Sequence, residues 1–186
     1  ASLEEACLSQ ADLTGANLYK AMLEGSNCTA ANFERANLSR ANGQEANFSR
    51  ANLQQADLEK AKFDRTILQA VNLTEADLVE ADLSYADLTK AILTKAQLEL
   101  ANLVCADLSN ADLTDASLFK ANLTAAILTS ANLDKTDLRG ANLEHTQLEG
   151  VDFSTCRVKG TLFTDARGLT TQQKQWLRAN GGLNIS

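Results

Sequence analysis

The sequence predicts an all-β solenoid, and three observations predict it. A five-residue word runs from Ala1 to Asp165 with no copy lost and none inserted. Across its 33 copies the third residue is Leu in 25 and the first is Ala in 25. The second is Asn or Asp in 21. A fixed internal period of this kind marks a repeat architecture before any other reading applies.

A period of five suits neither regular element. In an α-helix each residue turns about 100°, so leucines five apart drift about 140° per copy and spiral around the whole surface. In a straight strand an odd period sends successive leucines to opposite faces. Within one word, however, Ala and Leu are two apart, which puts both on one side of an extended trio. If the chain bends after every trio, all of these side chains converge on one axis. The fourth and fifth places have the chemistry for such a bend: Ser84, Thr89 and Thr114 stand at the fourth, and Gly15, Gly25, Gly140, Gly150 and Gly160 at the fifth, where a tight corner calls for positive φ. Asn and Asp at the second place bond readily to nearby backbone, so their recurrence reads as turn structure and not as catalysis.

Words such as ADLVE, ADLSY, ANLTA and ANLSR resemble the pentapeptide-repeat family, and the resemblance covers residues 1–165. It implies a right-handed parallel β-helix of square cross-section, one word per face and four per coil. Residues twenty apart then stack, and about eight coils at about 4.8 Å give a rod roughly 40 Å long. Leu83, Leu103 and Leu123 should lie one above another in the core. The style of the words, rich in ADL and ANL, resembles cyanobacterial members.

The chain in order fills in this frame. No capping helix precedes the first coil, so its backbone edge and Leu3 are expected to be left uncovered by the repeat itself, and to be covered either by a second chain, as a homodimer through the N-terminal coil, or by an upstream segment. Between Ser26 and Phe63 the inward series is least regular, with Cys28, Phe33, Gly43, Phe48 and Phe63 in place of leucine. This reads as volume compensation in a close-packed interior, with a small ligand cavity at Gly43 as the alternative. In the middle, the outward residues Val79, Leu100 and Phe119 fall on one face in three successive coils, with Val104, Cys105 and Tyr85 on the next face. They form a candidate interaction patch, since contiguous exposed apolar residues mark contact surfaces.

Past Asp165 the word stops. Thr170 and Gln173 have capping-box spacing and Gly181 and Gly182 supply a stop, which predicts a helix at about 171–179 within a C-terminal cap and tail of residues 166–186. Trp176, Leu177 and Leu169 should cover Phe163 and Val158, as terminal repeats of a solenoid need a cover. A fully buried Trp176 would cost roughly 3 to 5 kcal/mol on truncation to alanine.

Charge and composition narrow the function. A net charge of −7 over 186 residues disfavours direct binding to nucleic-acid phosphates or anionic lipid. No apolar run reaches membrane-spanning length. On the stacking rule the face of residues 1–5, 21–25 and onward carries eight acids, among them Glu4, Glu24, Glu45, Asp64, Asp82 and Glu144, against Lys62 and Arg65, a formal −6. The third face carries −4, and the other two are nearly balanced. The four cysteines, Cys28 and Cys156 inward and Cys7 and Cys105 outward, fit reduced thiols in a cytoplasmic setting, and a removed leader peptide remains compatible with this. No CxxC or histidine-rich cluster suggests a metal, no cofactor motif is present, and the single histidine, His145, has no nucleophile in triad arrangement. The leading expectation is a non-enzymatic structural or protein-interaction rod. The runner-up, implied by the family's best-understood branch, is a mimic of duplex DNA that binds a type II topoisomerase and protects or inhibits gyrase; this chain lacks that branch's projecting loop and offsets its acids with bases on two faces.

Overall fold

The computed structural model describes residues 1–186. Its organising contact is a parallel bridge between the second residue of each word and the residue twenty further on, as in Asp82↔Asn102 and Asn102↔Asn122. Four words therefore make one turn. Each flat side is only one bridged residue long, because the corners occupy the rest of the word. The solenoid is thus a ladder of isolated bridges, where the sequence suggested extended trios.

In a typical interior word with Asn or Asp at the second place, all five N–H groups have a destination, which is what a buried backbone requires. The second donates to the coil before and the third to the coil after, as Met22 N–H to Ala1 O (2.8 Å) and Leu3 N–H to Met22 O (2.7 Å) show. The fifth donates to the fourth carbonyl of the next coil (Glu5 to Glu24, 2.9 Å), and the first closes the corner onto the preceding third carbonyl (Ala6 to Leu3, 3.1 Å). That leaves the fourth N–H. In all 21 words with Asn or Asp at the second place, its Oδ1 accepts this group. The repeated Asn/Asp is an internal cap for each corner.

The corner itself puts the fifth residue in the left-handed region whatever its side chain: Lys60, Glu80, Tyr85 and Leu100 have φ of 56°, 55°, 58° and 59°. One fifth-place residue departs, Thr155. It is also the only β-branched residue at that place, and β-branching makes positive φ a true outlier. The rung beneath it is lost. No bridge joins Asn132 to Asp152, and neither the Leu133 nor the Asp152 N–H meets a backbone partner.

Inside, Leu83, Leu103 and Leu123 are fully buried and, through their bridged neighbours, stacked. Phe33, Phe48 and Phe63 are buried on three successive faces, with ring centroids 5.4 and 5.1 Å apart. The Phe63 ring fills the space above Gly43: a Cβ added there would lie 3.0 Å from its tip. The alternative of a ligand cavity at Gly43 is therefore excluded, and the missing side chain is replaced by the ring of the next coil. At three of the four words where Thr replaces Ala at the first place the hydroxyl donates across coils, as Thr66 to Gly43 O (2.8 Å) and Thr136 to Leu113 O (2.9 Å), whereas Thr146 donates to Leu143 O within its own coil (2.7 Å).

Past the last word, helix α1 (Thr171–Ala179) starts from Thr170, whose hydroxyl accepts from Gln173 N–H while the Gln173 side chain accepts from Thr170 N–H. Gln173 Nε2 also donates to Val151 O (2.6 Å), a carbonyl that a further coil would otherwise have used. Leu177 is the fully buried anchor. Trp176 is only half-buried, beside Phe153 and Thr170, so the large truncation penalty expected for it does not apply. The tail adds a rung the sequence did not suggest: Leu183 bridges Leu162, donating to Thr161 O (2.8 Å) and accepting from Phe163 N–H (3.0 Å). At the other end Leu3, Leu8 and Leu13 are half-buried, and the N–H groups of Ser2, Cys7, Asp12 and Asn17 have no backbone partner. No helix is long and apolar enough to cross a membrane.

Candidate interaction surface

Since the core side chains are committed to the axis, any function lies in the second, fourth and fifth places. Of the apolar residues there, Leu100 and Tyr85 are 52% and 57% exposed. Val79, Val104 and Phe119 are half-buried. Chain order divides the five. Val79, Leu100 and Phe119 line the corner between the fourth and first faces; Tyr85 and Val104 line the corner between the first and second. Asp82 and Asn102 run between them, so the five flank one face and do not form a single apolar patch. Phe119 is further covered by Lys120 and Arg139, whose charges sit 5.1 and 5.6 Å from its ring centre, and Arg65 lies 5.6 Å from that of Tyr85.

The acidic face also divides. Asp82 accepts from Ser84 N–H and Asn102 Nδ2, Asp64 from Gln44 Nε2, and Glu144 from Thr164 and Asn142. The Thr164 hydroxyl, then Asn142, lowers the Glu144 carboxyl below its ordinary range. These three carboxylates serve the scaffold. Glu4, Glu24 and Glu45, with Glu5, line an open acidic groove at the N-terminal end.

One charged cluster went unnoticed in the sequence. Asp137 is nearly fully buried, held by Arg139 (2.6 Å) and by Arg157 (3.3 Å) from the coil above. Arg139, its closest hydrogen-bond donor, depresses the Asp137 carboxyl. The signal was present: stacking twenty apart sets Arg157 directly on Asp137, and Arg139 occupies the fourth place of the same word.

Reactive groups do not converge. His145 lies 3.6 Å from Asp165 with both side chains exposed. No group of three or more His, Cys, Asp and Glu is arranged to hold a metal. Cys7 and Cys105 are exposed and Cys28 and Cys156 buried, all as free thiols. Burial pushes Cys28 up to about 11 and Cys156 up to about 12.

Pentapeptide repeats match this chain in 8 copies, over residues 1–27, 26–69, 56–94, 66–103, 81–118 and 116–154. The chain belongs to the pentapeptide-repeat family. Among solved pentapeptide-repeat structures it is similar to HetL, involved in heterocyst differentiation regulation in the cyanobacterium Nostoc sp. strain PCC 7120. The identity is 28% and the TM-score 0.50, over 89% of this chain and 86% of HetL. Rfr23 from the cyanobacterium Cyanothece 51142 is 40% identical over 48% of this chain, which spans 62% of that protein, with a TM-score of 0.48. QnrB1, a plasmid-mediated fluoroquinolone resistance protein, is 16% identical over 96% of this chain and 92% of its own, with a TM-score of 0.45. No curated protein matches the chain.

Proposed function

We propose that this pentapeptide-repeat protein is a non-enzymatic rod that binds protein partners through its outer columns. Its coil is right-handed, as the family resemblance implies, with residues 1–165 as the solenoid and 166–186 as its cap. The observation that carries the reading is the exposure of Leu100 and Tyr85, at 52% and 57%, on a backbone held in place by the coil-to-coil ladder. Large exposed apolar groups held rigidly lose little conformational entropy on binding, which favours their use as anchors. The free thiols favour a reducing, cytoplasmic setting.

The test is affinity capture from a lysate of the source organism with the native chain and with Leu100→Glu/Phe119→Glu. Partners held by the native chain and lost by the variant support the reading, and identical partner sets overturn it for these residues. A second reading, a topoisomerase-binding mimic of duplex DNA, draws on the acidic groove of Glu4, Glu5, Glu24 and Glu45. It predicts inhibition or quinolone protection in a gyrase supercoiling assay, and no effect at tens of micromolar removes it.

A further inference from the structure

The first face is bordered by two corners of opposite charge. One border, built from the fourth and fifth places of words 16–20, 36–40 and onward, carries Lys20, Arg40, Lys60, Lys120, Arg139 and Lys159 against Glu59, Glu80 and Glu99, six bases to three acids. The other, from the fourth and fifth places of words 1–5, 21–25 and onward, carries seven acids against Arg65 alone. The excess charge is not consumed inside the chain: Lys20, Arg40, Lys120 and Lys159 make no ion pair, nor do Glu4, Glu5, Glu24 and Glu45.

Order along the axis sharpens the contrast. The basic border has its bases at both ends and Val79 and Leu100 in the middle. The acidic border has its acids at both ends and Tyr85 and Val104 in the middle. We infer that the first face binds a second copy of this chain, side by side and parallel, about a two-fold axis that runs along the rod. Such an axis lays the basic border of each copy on the acidic border of the other at the same height, because consecutive words differ by a quarter turn. Lys20 then faces Glu24, Arg40 faces Glu45, Lys159 faces Asp165 and Leu100 faces Val104. Met22, 46% exposed at the second place, meets its own copy near the axis. An antiparallel pair would set the basic border on itself, which like charge opposes. The contact is isologous and closes as a dimer. It deepens, and rests on, the reading of the protein as an interaction rod.

Sedimentation equilibrium of the full chain tests it. At low ionic strength the native protein should be a dimer at tens of micromolar, with a dissociation constant that rises at least 10-fold in 0.5 M salt. Lys20→Glu/Arg40→Glu and Glu24→Lys/Glu45→Lys should each weaken self-association at least 10-fold, with melting curves reporting that both remain folded. Mixed one to one they should form a heterodimer, since at the substituted rungs the first copy then carries acids on both borders and the second carries bases on both. A native chain that is monomeric at 200 µM in low salt overturns the inference. So does a dimer indifferent to both charge reversals, which would place the contact on another surface. If the chain is monomeric but still captures partners through Leu100 and Phe119, the interaction-rod reading stands and only the self-pairing falls.

Discussion

The Lys135 amide donates to the Thr155 hydroxyl at 2.9 Å, in a place where other fifth-residue amides find a backbone carbonyl. The substitution follows from the shape of threonine. Its branched Cβ keeps residue 155 out of the left-handed corner, the bridge between Asn132 and Asp152 is lost, and the side chain supplies the acceptor that the backbone no longer offers. Thr155→Asn should let the corner form, since Asn tolerates that region. A gain of about 0.5 to 1 kcal/mol in urea denaturation is expected, with new hydrogen-exchange protection at Leu133 and Asp152. The converse change, Ala125→Val, forces a branched residue into a corner with φ of 58° and should cost about 1 to 3 kcal/mol.

Cys156 does the work of a threonine. Its Sγ donates to Leu133 O at 3.1 Å, and Thr136 and Thr161 donate to the carbonyls 23 residues before them at 2.9 and 2.6 Å. Cys156→Thr should therefore change stability by less than about 1 kcal/mol.

The two buried thiols also set an alkaline limit. Their folded values, about 11 and about 12, lie above the ordinary thiol value of about 8.5, so the neutral form is favoured by folding. That stabilisation is complete below about pH 8.5 and is lost as pH rises through the folded values. The melting temperature should fall through this window, and less steeply in Cys156→Thr.

Asp137 sets the acid limit, with the opposite sign. Its folded carboxyl lies below the ordinary value, so its contribution is present above about pH 4 and lost as pH falls through the depressed value. Asp137→Asn should cost about 1 to 3 kcal/mol at neutral pH and flatten the loss of stability below pH 4. An unchanged acid profile would show that Arg139 and Arg157 are held by other contacts.

The cap should depend on Leu177 more than on Trp176. Leu177 is fully buried and its truncation to alanine should cost about 2 to 5 kcal/mol, whereas the half-buried Trp176 should cost about 1 to 2 kcal/mol. Thermal melts of the two variants measure the difference.

Much of this architecture was legible because the word ties side-chain type to place. Leu at the third place and Ala at the first announced the core, and Thr170 with Gln173 announced α1 and its start. What stayed hidden depends on contacts between coils. The left-handed corner could be read at Gly15 or Gly25 but not at Lys60 or Tyr85, whose propensity the ladder overrides. The rung at Leu183 follows a helix and carries no word. Trp176 looked like an anchor because indoles are large, yet the neighbouring Leu177 points to the coil. The outer residues Val79, Leu100, Tyr85 and Val104 were legible as apolar and outward, but only the corner geometry separates them into two borders of one face.

Since each coil consumes twenty residues and bonds only to the coils beside it, the chain can be edited in units of twenty. Removing residues 81–100 would join Glu80 to Ala101 and shorten the rod by one storey, with every remaining side chain still facing the direction it faces now. Removing a multiple of five that is not a multiple of twenty would instead rotate everything downstream by one, two or three quarter turns, scrambling the outer columns while sparing the interior.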